Sequence, residues 1–253
     1  GLATALSMAL IDGPSGAMRI TSSTLRSEST EAPAEIRIAY ANGDPGSRGY
    51  RQREELGSYL HRRLAEARHA LDVGGASKNA RLPALDHLRI ERAEWIAPLL
   101  AGDLLPAVRP AYDVVAALGN AYAYCDRDAL VRMAQHAHAV LHKRGALLLD
   151  LPGAGALQDR DSAEIRIETS RQGRIATVEQ AEPDAGRIIR YLSLREYSPH
   201  AAYRLALHVY MPDEIASLLQ TAGFTRVEVL AIDGSALRDS APPAFLAIAE
   251  KPV

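Results

Sequence analysis

The stretch from Tyr112 to Asp150, YDVVAALGNAYAYCDRDALVRMAQHAHAVLHKRGALLLD, decides the fold class. Residues 112–118 predict an apolar strand that stops at Gly119. Residues 126–141 predict a helix, because apolar residues recur at helical spacing between acids near its start and bases near its end. Gly145 is expected to take the left-handed cap beyond it. ALLLD follows at once and predicts a strand buried on both faces, which is typical of parallel sheets. Strand, helix and strand together predict a right-handed βαβ unit.

Further strand and helix signals lie on both sides of this unit. HALDVGG, residues 69–75, predicts a short buried strand that ends in a glycine turn. Past residue 210, MPDE predicts the start of a helix that Gly223 ends, and RVEVLAI and PAFLAIAE predict two final strands. The sequence therefore predicts an α/β fold built on a doubly wound, mostly parallel sheet.

Two segments depart from this pattern. Residues 163–210 alternate polar and apolar side chains, with turn signals at Gly173 and at 183–186, which predicts an inserted antiparallel meander with one wet face. Residues 13–34 are rich in Gly, Ser, Thr and Pro, so residues 1–49 are expected to form an N-terminal arm and residues 50–253 the main domain.

Composition narrows the class of partner. The chain has 253 residues, with 29 basic and 31 acidic side chains, so its charge predicts no nucleic-acid or anionic-lipid partner. One cysteine, Cys125, fits a reducing compartment. No apolar run reaches the roughly 18 residues of a membrane span. We expect a cytoplasmic, globular protein that acts on a small molecule.

Two pieces of the sequence resemble the class I, Rossmann-like family of S-adenosylmethionine-dependent methyltransferases of small-molecule type. Residues 112–153 are similar to the family's fourth strand, following helix and fifth strand. Residues 210–230 and the closing strand are similar to its last helix, its "aGF" turn and its antiparallel sixth and seventh strands. The resemblance covers roughly residues 66–253 without the meander. It implies an antiparallel last strand, S-adenosylmethionine as cofactor and methyl transfer to a small molecule, with natural-product biosynthesis as one setting.

The resemblance also assigns the cofactor loop. The family has an acid, a hydrophobic residue and Gly-x-Gly-x-Gly after its first strand, which implies that Asp72, Gly74 and Gly75 bind the cofactor. Ala76 and Lys78 replace the second and third glycines, where the backbone of the family approaches the ligand closely. A tight strand-to-helix turn with no ligand is the alternative interpretation of this loop.

The sequence can be aligned with the family in two registers, and each gives a different acid for binding the adenosine part of the cofactor. In the first, Leu88–Glu91 is the second strand and Glu91, 19 residues after Asp72, binds the ribose. In the second, LLAGD ends a third strand and Asp103 faces the adenine. The space between Gly74 and Asp103 is short for two crossovers and a strand. Either a helix or strand is missing from the fold here, or residues of this region are missing from the sequence.

Candidate substrate-handling residues follow the fourth strand and lie in the meander. In the family, the loop after the fourth strand lines the methyl donor, which implies that Asn120 binds the cofactor. Tyr122 in the same loop is a catalytic candidate that would position an amine or hydroxyl of the acceptor, and its alternative is packing over the sheet. His200 and His208 are candidates for a general base, because an unperturbed histidine titrates near neutral pH. No histidine pair on the helix has a partner that would complete a metal site, so no metal is predicted.

A function other than methyl transfer stays open. A methyltransferase scaffold with a degenerate cofactor loop can serve as a cyclase, as a rearrangement catalyst or as a non-catalytic ligand-binding protein. The meander is expected to be a lid that selects the acceptor, and its alternative is the interface of a homodimer. A short-chain dehydrogenase is disfavoured, because the chain has no Tyr-x-x-x-Lys helix.

Overall fold

The computed structural model describes residues 8–11, 18–21, 26, 29–43, 54–74, 85, 87–106, 111–158, 165–170, 173–194 and 202–253. The strands are β1 (Met8–Ile11), β2 (Met18–Thr21), β3 (Ser29–Glu31), β4 (His69–Asp72), β5 (Arg89–Arg92), β6 (Tyr112–Ala117), β7 (Leu141–Pro152), β8 (Arg166–Ser170), β9 (Gly173–Glu182), β10 (Arg187–Leu194), β11 (Ala202–His208), β12 (Arg226–Ala231) and β13 (Ala244–Glu250). The helices are α1 (Ala34–Gly43), α2 (Glu54–Arg63), α3 (Ile96–Ala101), α4 (Arg127–Val140) and α5 (Pro212–Thr221).

The chain divides into two compact units. The smaller contains residues 1–33 and 157–207, and the larger contains residues 34–156 and 208–253. Among the residues in the described ranges, no helix is long and apolar enough to cross a membrane.

The larger unit is built on a six-stranded sheet of order β12-β13-β7-β6-β4-β5. Strands β5, β4, β6 and β7 are parallel, and β13 runs antiparallel to both β7 and β12. This confirms the doubly wound, mostly parallel α/β sheet with an antiparallel last strand. Strands β6 and β13 and residues 145–151 of β7 are almost wholly buried, as their continuous apolar runs predict.

Helix α4 follows its sequence signals at the start and departs from them at the end. The Asp126 carboxylate accepts from the Ala129 N–H at 2.8 Å, so it caps the helix as its position predicts. At the other end, the Lys251 ammonium donates to the carbonyls of His138 and Leu141 at 2.7 and 2.8 Å. The left-handed residue beyond the helix is Arg144, with φ +63°, and not the glycine that follows it.

The smaller unit contains a five-stranded sheet of order β3-β11-β10-β9-β8, whose β8-β9-β10 part is the predicted antiparallel meander. The expectation of one wet face is wrong for β9 and β10. Val178 and Tyr191 are buried on one face, and the ion pair between Arg190 and Glu179, 2.8 Å apart, is buried on the other. Alternating polarity does not imply exposure here, because the polar side chains at facing positions satisfy one another.

The N-terminal residues form more structure than an arm. Strand β3 pairs in parallel with β11, and α1 contacts α3 and the turn 121–124 of the larger unit. Ile36 is buried in α1, because AEIRIAYA places apolar residues at helical spacing after the Pro33 breaker. The expected boundary between residues 1–49 and 50–253 therefore differs from the observed division of the chain.

Candidate active site

Polar residues converge at the carboxyl edge of the six-stranded sheet. Asp72 ends β4, Gly119 and Asn120 follow β6, and Asp150 lies near the end of β7. The carboxyl ends of β4, β6 and β7 are adjacent because these strands are neighbours and parallel. Ligands of doubly wound sheets bind at this edge.

Asp72 presents a partly desolvated carboxylate at this edge. Its Oδ1 accepts from the Gly74 N–H at 3.1 Å, and its Oδ2 lies 3.5 Å from the Arg92 Nε. Burial raises the pKa of Asp72, while the Gly74 N–H and the charge of Arg92 act in the opposite direction. A carboxylate that is 30% exposed and weakly solvated attracts a cation more strongly than a fully solvated one would.

Gly74 is required by the packing of the strand ends. A Cβ on this residue would lie 2.3 Å from the Leu118 carbonyl oxygen and 2.6 Å from the Leu118 nitrogen. The turn after β4 therefore lies directly against the end of β6, and only glycine permits that distance. The predicted ligand Gly75 lies outside the described residues.

The turn after β6 is held by the buried carboxylate of Asp150. The N–H groups of Gly119 and Asn120 donate to it at 3.0 and 3.1 Å, and Asp150 itself is fully buried. Asn120 has a left-handed backbone, with φ +57°, and its Oδ1 is buried with no hydrogen-bond partner among the described residues. An amide oxygen in that condition is a site for a donor that a ligand can supply.

Tyr122 supports the neighbouring turn. Its ring is fully buried, and its hydroxyl donates to the Val73 carbonyl at 2.8 Å, so it fixes the backbone between Asp72 and Gly74. Burial keeps the pKa of Tyr122 well above its usual value, with smaller contributions from the negative charges of Glu94 and Asp72. The hydroxyl therefore stays protonated and donates.

The two candidate ribose acids lie in different surroundings. Glu91 is in β5, so the predicted second strand is confirmed, but its carboxylate accepts from the Tyr112 hydroxyl at 2.8 Å. Asp103 is exposed beyond α3, and LLAGD is the end of that helix and its Gly102 cap, so the expected third strand at this position is wrong. A helix that the Glu94 carboxylate initiates forms there in place of a strand.

Glu94 is a residue that the sequence reasoning missed. Its Oε1 accepts from the N–H groups of Ile96 and Ala97 at 2.9 and 3.0 Å and so caps α3. It lies two residues past β5 and influences Tyr122 electrostatically, as Asp72 does. An acid shortly after a strand and before a helical segment was the available signal.

Of the two candidate general bases, His208 lies among the described residues and His200 does not. His208 is the last residue of β11, and two residues later the Tyr210 N–H donates to the Pro152 carbonyl at 3.1 Å. Tyr210 forms a parallel bridge with Gly153, so the chain after His208 joins the carboxyl end of β7. His200 lies outside the described residues, and no group of three metal-ligating side chains occurs within the described ranges.

The sheet has the architecture of known methyltransferases. A S-adenosylmethionine-dependent methyltransferase from Clostridium acetobutylicum superposes with a TM-score of 0.59 at 10% identity, over 87% of this chain and 98% of that one. The CcbJ methyltransferase of Streptomyces caelestis gives 0.55 at 14% identity, over 85% and 96%. The PH0226 protein of Pyrococcus horikoshii gives 0.50 at 11%, over 87% and 99%. No protein-family model and no curated protein matches the sequence. The chain therefore has the class I methyltransferase fold.

The described edge is compatible with a cationic adenosine cofactor. Asp72 supplies a carboxylate, the Asn120 Oδ1 supplies a buried acceptor, and the Gly74 turn brings bare backbone to the ends of β4 and β6. S-adenosylmethionine carries a sulfonium, an ammonium and hydroxyl donors, which are the groups that such acceptors bind.

Proposed function

We propose that this protein transfers a methyl group from S-adenosylmethionine to a small-molecule acceptor. The observation that carries the proposal is the acidic, acceptor-rich carboxyl edge on a methyltransferase fold. Asp72 and the orphaned Asn120 Oδ1 lie there on neighbouring turns, which the Tyr122 hydroxyl and the Asp150 carboxylate hold through buried hydrogen bonds. The cofactor supplies an activated methyl group, so the protein has only to bind, orient and exclude water.

Each described residue has a role in that arrangement. Asp72 attracts the cationic part of the cofactor, and Gly74 lets the backbone approach it. Asn120 accepts a hydrogen bond from the ligand. Tyr122 and Asp150 are positioning residues, because each holds one of the two turns through backbone contacts.

One of the three acids that follow β4 in the chain, Glu91, Glu94 or Asp103, is expected to bind the ribose hydroxyls. Glu91 binds the hydroxyls only if its carboxylate exchanges the Tyr112 hydroxyl for them, and Glu94 is the acid nearer to the carboxyl edge. Alanine variants of Glu91, Glu94 and Asp103 separate these assignments. Loss of a charged acceptor is expected to lower cofactor affinity by about ten- to a hundredfold at the residue that binds the ribose.

Binding of S-adenosylhomocysteine tests the proposal directly. At a hundred times its dissociation constant it is expected to stabilise the protein by about 2.7 kcal/mol, which a thermal shift detects. Asp72→Ala should remove the shift, and Asp184→Ala, which changes an exposed acid of the smaller unit, should retain it. No shift for the unaltered protein at millimolar ligand would exclude cofactor binding.

We propose that the smaller unit selects the small molecule that accepts the methyl group. It contains Tyr191, Tyr197, His200 and Tyr203, and His208 and Tyr210 follow it directly in the chain. Replacing residues 163–205 by a Gly-Ser linker is expected to keep S-adenosylhomocysteine affinity while acceptor binding is lost. A monomeric product with full turnover would show instead that the segment serves a homodimer.

His208→Gln tests the general base, through loss of the acid limb of the kcat–pH profile.

A further inference from the structure

A polar groove lies at the amino edge of the six-stranded sheet, at the opposite ends of the strands that carry the candidate active site. It has a volume of about 890 Å³ and is formed by the end of α2, the start of β6, the turn before the parallel part of β7, the start of β12 and the residues after β13. Small-molecule sites in proteins commonly measure about 300–1,000 Å³. We call it the amino-edge groove.

Basic side chains outnumber acidic ones in the amino-edge groove. The basic residues that line it are Arg62, Arg63, Lys143, Arg144, Arg226 and Lys251. The acidic ones are Glu66, Asp113 and Glu250. The chain as a whole carries a net charge of −2, so this local excess of positive charge runs against the overall balance.

Half of these cations are already engaged. Glu250 pairs with both Arg63 and Arg226, and the Lys251 ammonium caps α4. Asp113 is also engaged, because its Oδ2 accepts from the N–H groups of Arg68 and His69 at 2.8 and 3.0 Å.

Three cations and one acid, Glu66, are left over. Arg62, Lys143 and Arg144 are exposed, and within the described ranges the structure gives none of them an ion pair. Two guanidinium groups and one ammonium group facing one cavity match the charge and the hydrogen-bond geometry of phosphate oxygens.

The backbone of Arg144 is a second, independent sign of a site. Its φ of +63° is in the left-handed region, which disfavours an arginine, although a glycine follows it directly. The conformation is held by ladder bonds: the Arg144 N–H donates to the Lys251 carbonyl at 3.1 Å, and the Lys251 N–H donates to the Gly145 carbonyl at 2.9 Å. Strained residues that the surrounding structure holds in place cluster at functional sites.

We propose that the amino-edge groove binds a phosphorylated small molecule of about nucleotide size, through Arg62, Lys143 and Arg144. The groove is separate from the proposed methyl-transfer site, since it lies at the other ends of β6 and β7. S-adenosylmethionine has no phosphate, so occupancy of this groove by a phosphate ligand is independent of cofactor binding.

Calorimetric titration with pyrophosphate tests this site in the whole 253-residue chain. We expect binding that weakens as salt is raised, and at least a tenfold loss of affinity in Arg144→Gly. That variant keeps the left-handed backbone without strain, so the fold is retained. Arg238→Ala is the matched control, because it removes an exposed arginine outside the groove and is expected to bind pyrophosphate as the unaltered protein does.

Three results would overturn the proposal: no pyrophosphate binding at millimolar concentration and low salt, equal losses in Arg144→Gly and Arg238→Ala, or equally tight binding of an oligoglutamate peptide. ADP is the second probe, and it is expected to bind more tightly than adenosine. S-adenosylhomocysteine affinity is expected to be unchanged in Arg144→Gly. If the amino-edge groove does not bind phosphate, the protein still binds S-adenosylhomocysteine. If the methyltransferase proposal is wrong, neither the unaltered protein nor any variant binds S-adenosylhomocysteine.

Discussion

The two edges of the six-stranded sheet are built on the same strands but carry opposite charge. Each has one of the two described non-glycine residues with a left-handed backbone, Asn120 at the carboxyl edge and Arg144 at the amino edge. Asn120 tolerates that conformation and is tied to a buried acid, whereas Arg144 does not favour it and lies among cations. The difference indicates two binding surfaces of opposite preference, one for a cationic ligand and one for an anionic ligand.

Removing the carboxylate of Asp150 is expected to have the largest effect. In Asp150→Ala the N–H groups of Gly119 and Asn120 lose a charged acceptor inside the protein. We expect the free energy of unfolding to fall by about 3 kcal/mol, together with cofactor affinity. Asp150→Asn, which keeps one acceptor oxygen, should lose less. Equal stability of Asp150→Ala in urea denaturation would show that the turn does not depend on this residue.

The carboxamide of Asn120 can be removed without disturbing its backbone. Asn120→Gly retains the left-handed conformation, so the free energy of unfolding should change by less than about 0.5 kcal/mol. Affinity for S-adenosylhomocysteine should fall about tenfold, or 1.4 kcal/mol, because a buried acceptor is lost. Pyrophosphate binding should be unaffected. Unchanged cofactor affinity would mean that the orphaned Oδ1 does not face the ligand.

The same substitution at the amino edge is expected to give the reverse pattern. Arg144→Gly relieves a left-handed arginine, which costs about 1–2 kcal/mol, at an entropic cost of about 0.5–1 kcal/mol. The net expectation is a gain of about 0.5–1 kcal/mol in the free energy of unfolding, accompanied by loss of pyrophosphate binding. Destabilisation measured by urea denaturation would show that the arginine side chain contributes to packing and that the strain has no functional meaning.

The sequence predicts the sheet better than it predicts the edges. The long apolar runs of β6, β7 and β13, the cap at Asp126 and the Gly74 turn follow from local pattern. The end of α4 does not, because the position that takes the left-handed conformation is decided by the pairing of Arg144 with Lys251, more than a hundred residues apart in the chain.

The candidate site was predictable only in part for the same reason. Asp72 and Asn120 follow apolar strands, and the sequence places them at the carboxyl edge. The cap that Glu94 provides is local, so an acid just before a helical segment indicates it. The bond between Glu91 and Tyr112 and the use of the Val73 carbonyl by the Tyr122 hydroxyl are instead tertiary contacts, between residues 21 and 49 positions apart in the chain. Hydrophobic periodicity does not indicate tertiary contacts. It also does not indicate that cations from four segments of the chain lie in one groove.

The smallest expected effect is a shift in the pKa of His138, which responds to the positive charge at the amino edge. Burial lowers the pKa of its ring, the positive charge of Lys251 lowers it further, and the ring packs edge-on against Phe224 with centroids 5.2 Å apart. Because the folded state favours the neutral ring, this contribution to stability is complete above the unfolded pKa near 6.5 and is lost as the pH falls through that value toward the folded pKa. We expect His138→Gln to flatten this part of the pH dependence of unfolding. NMR titration should show the His138 pKa rising in Lys251→Met and also in the unaltered protein saturated with pyrophosphate, since both changes reduce the positive field. A ring pKa that is the same in all three samples would show that the charge of the groove does not reach His138, and burial alone would then account for the shift.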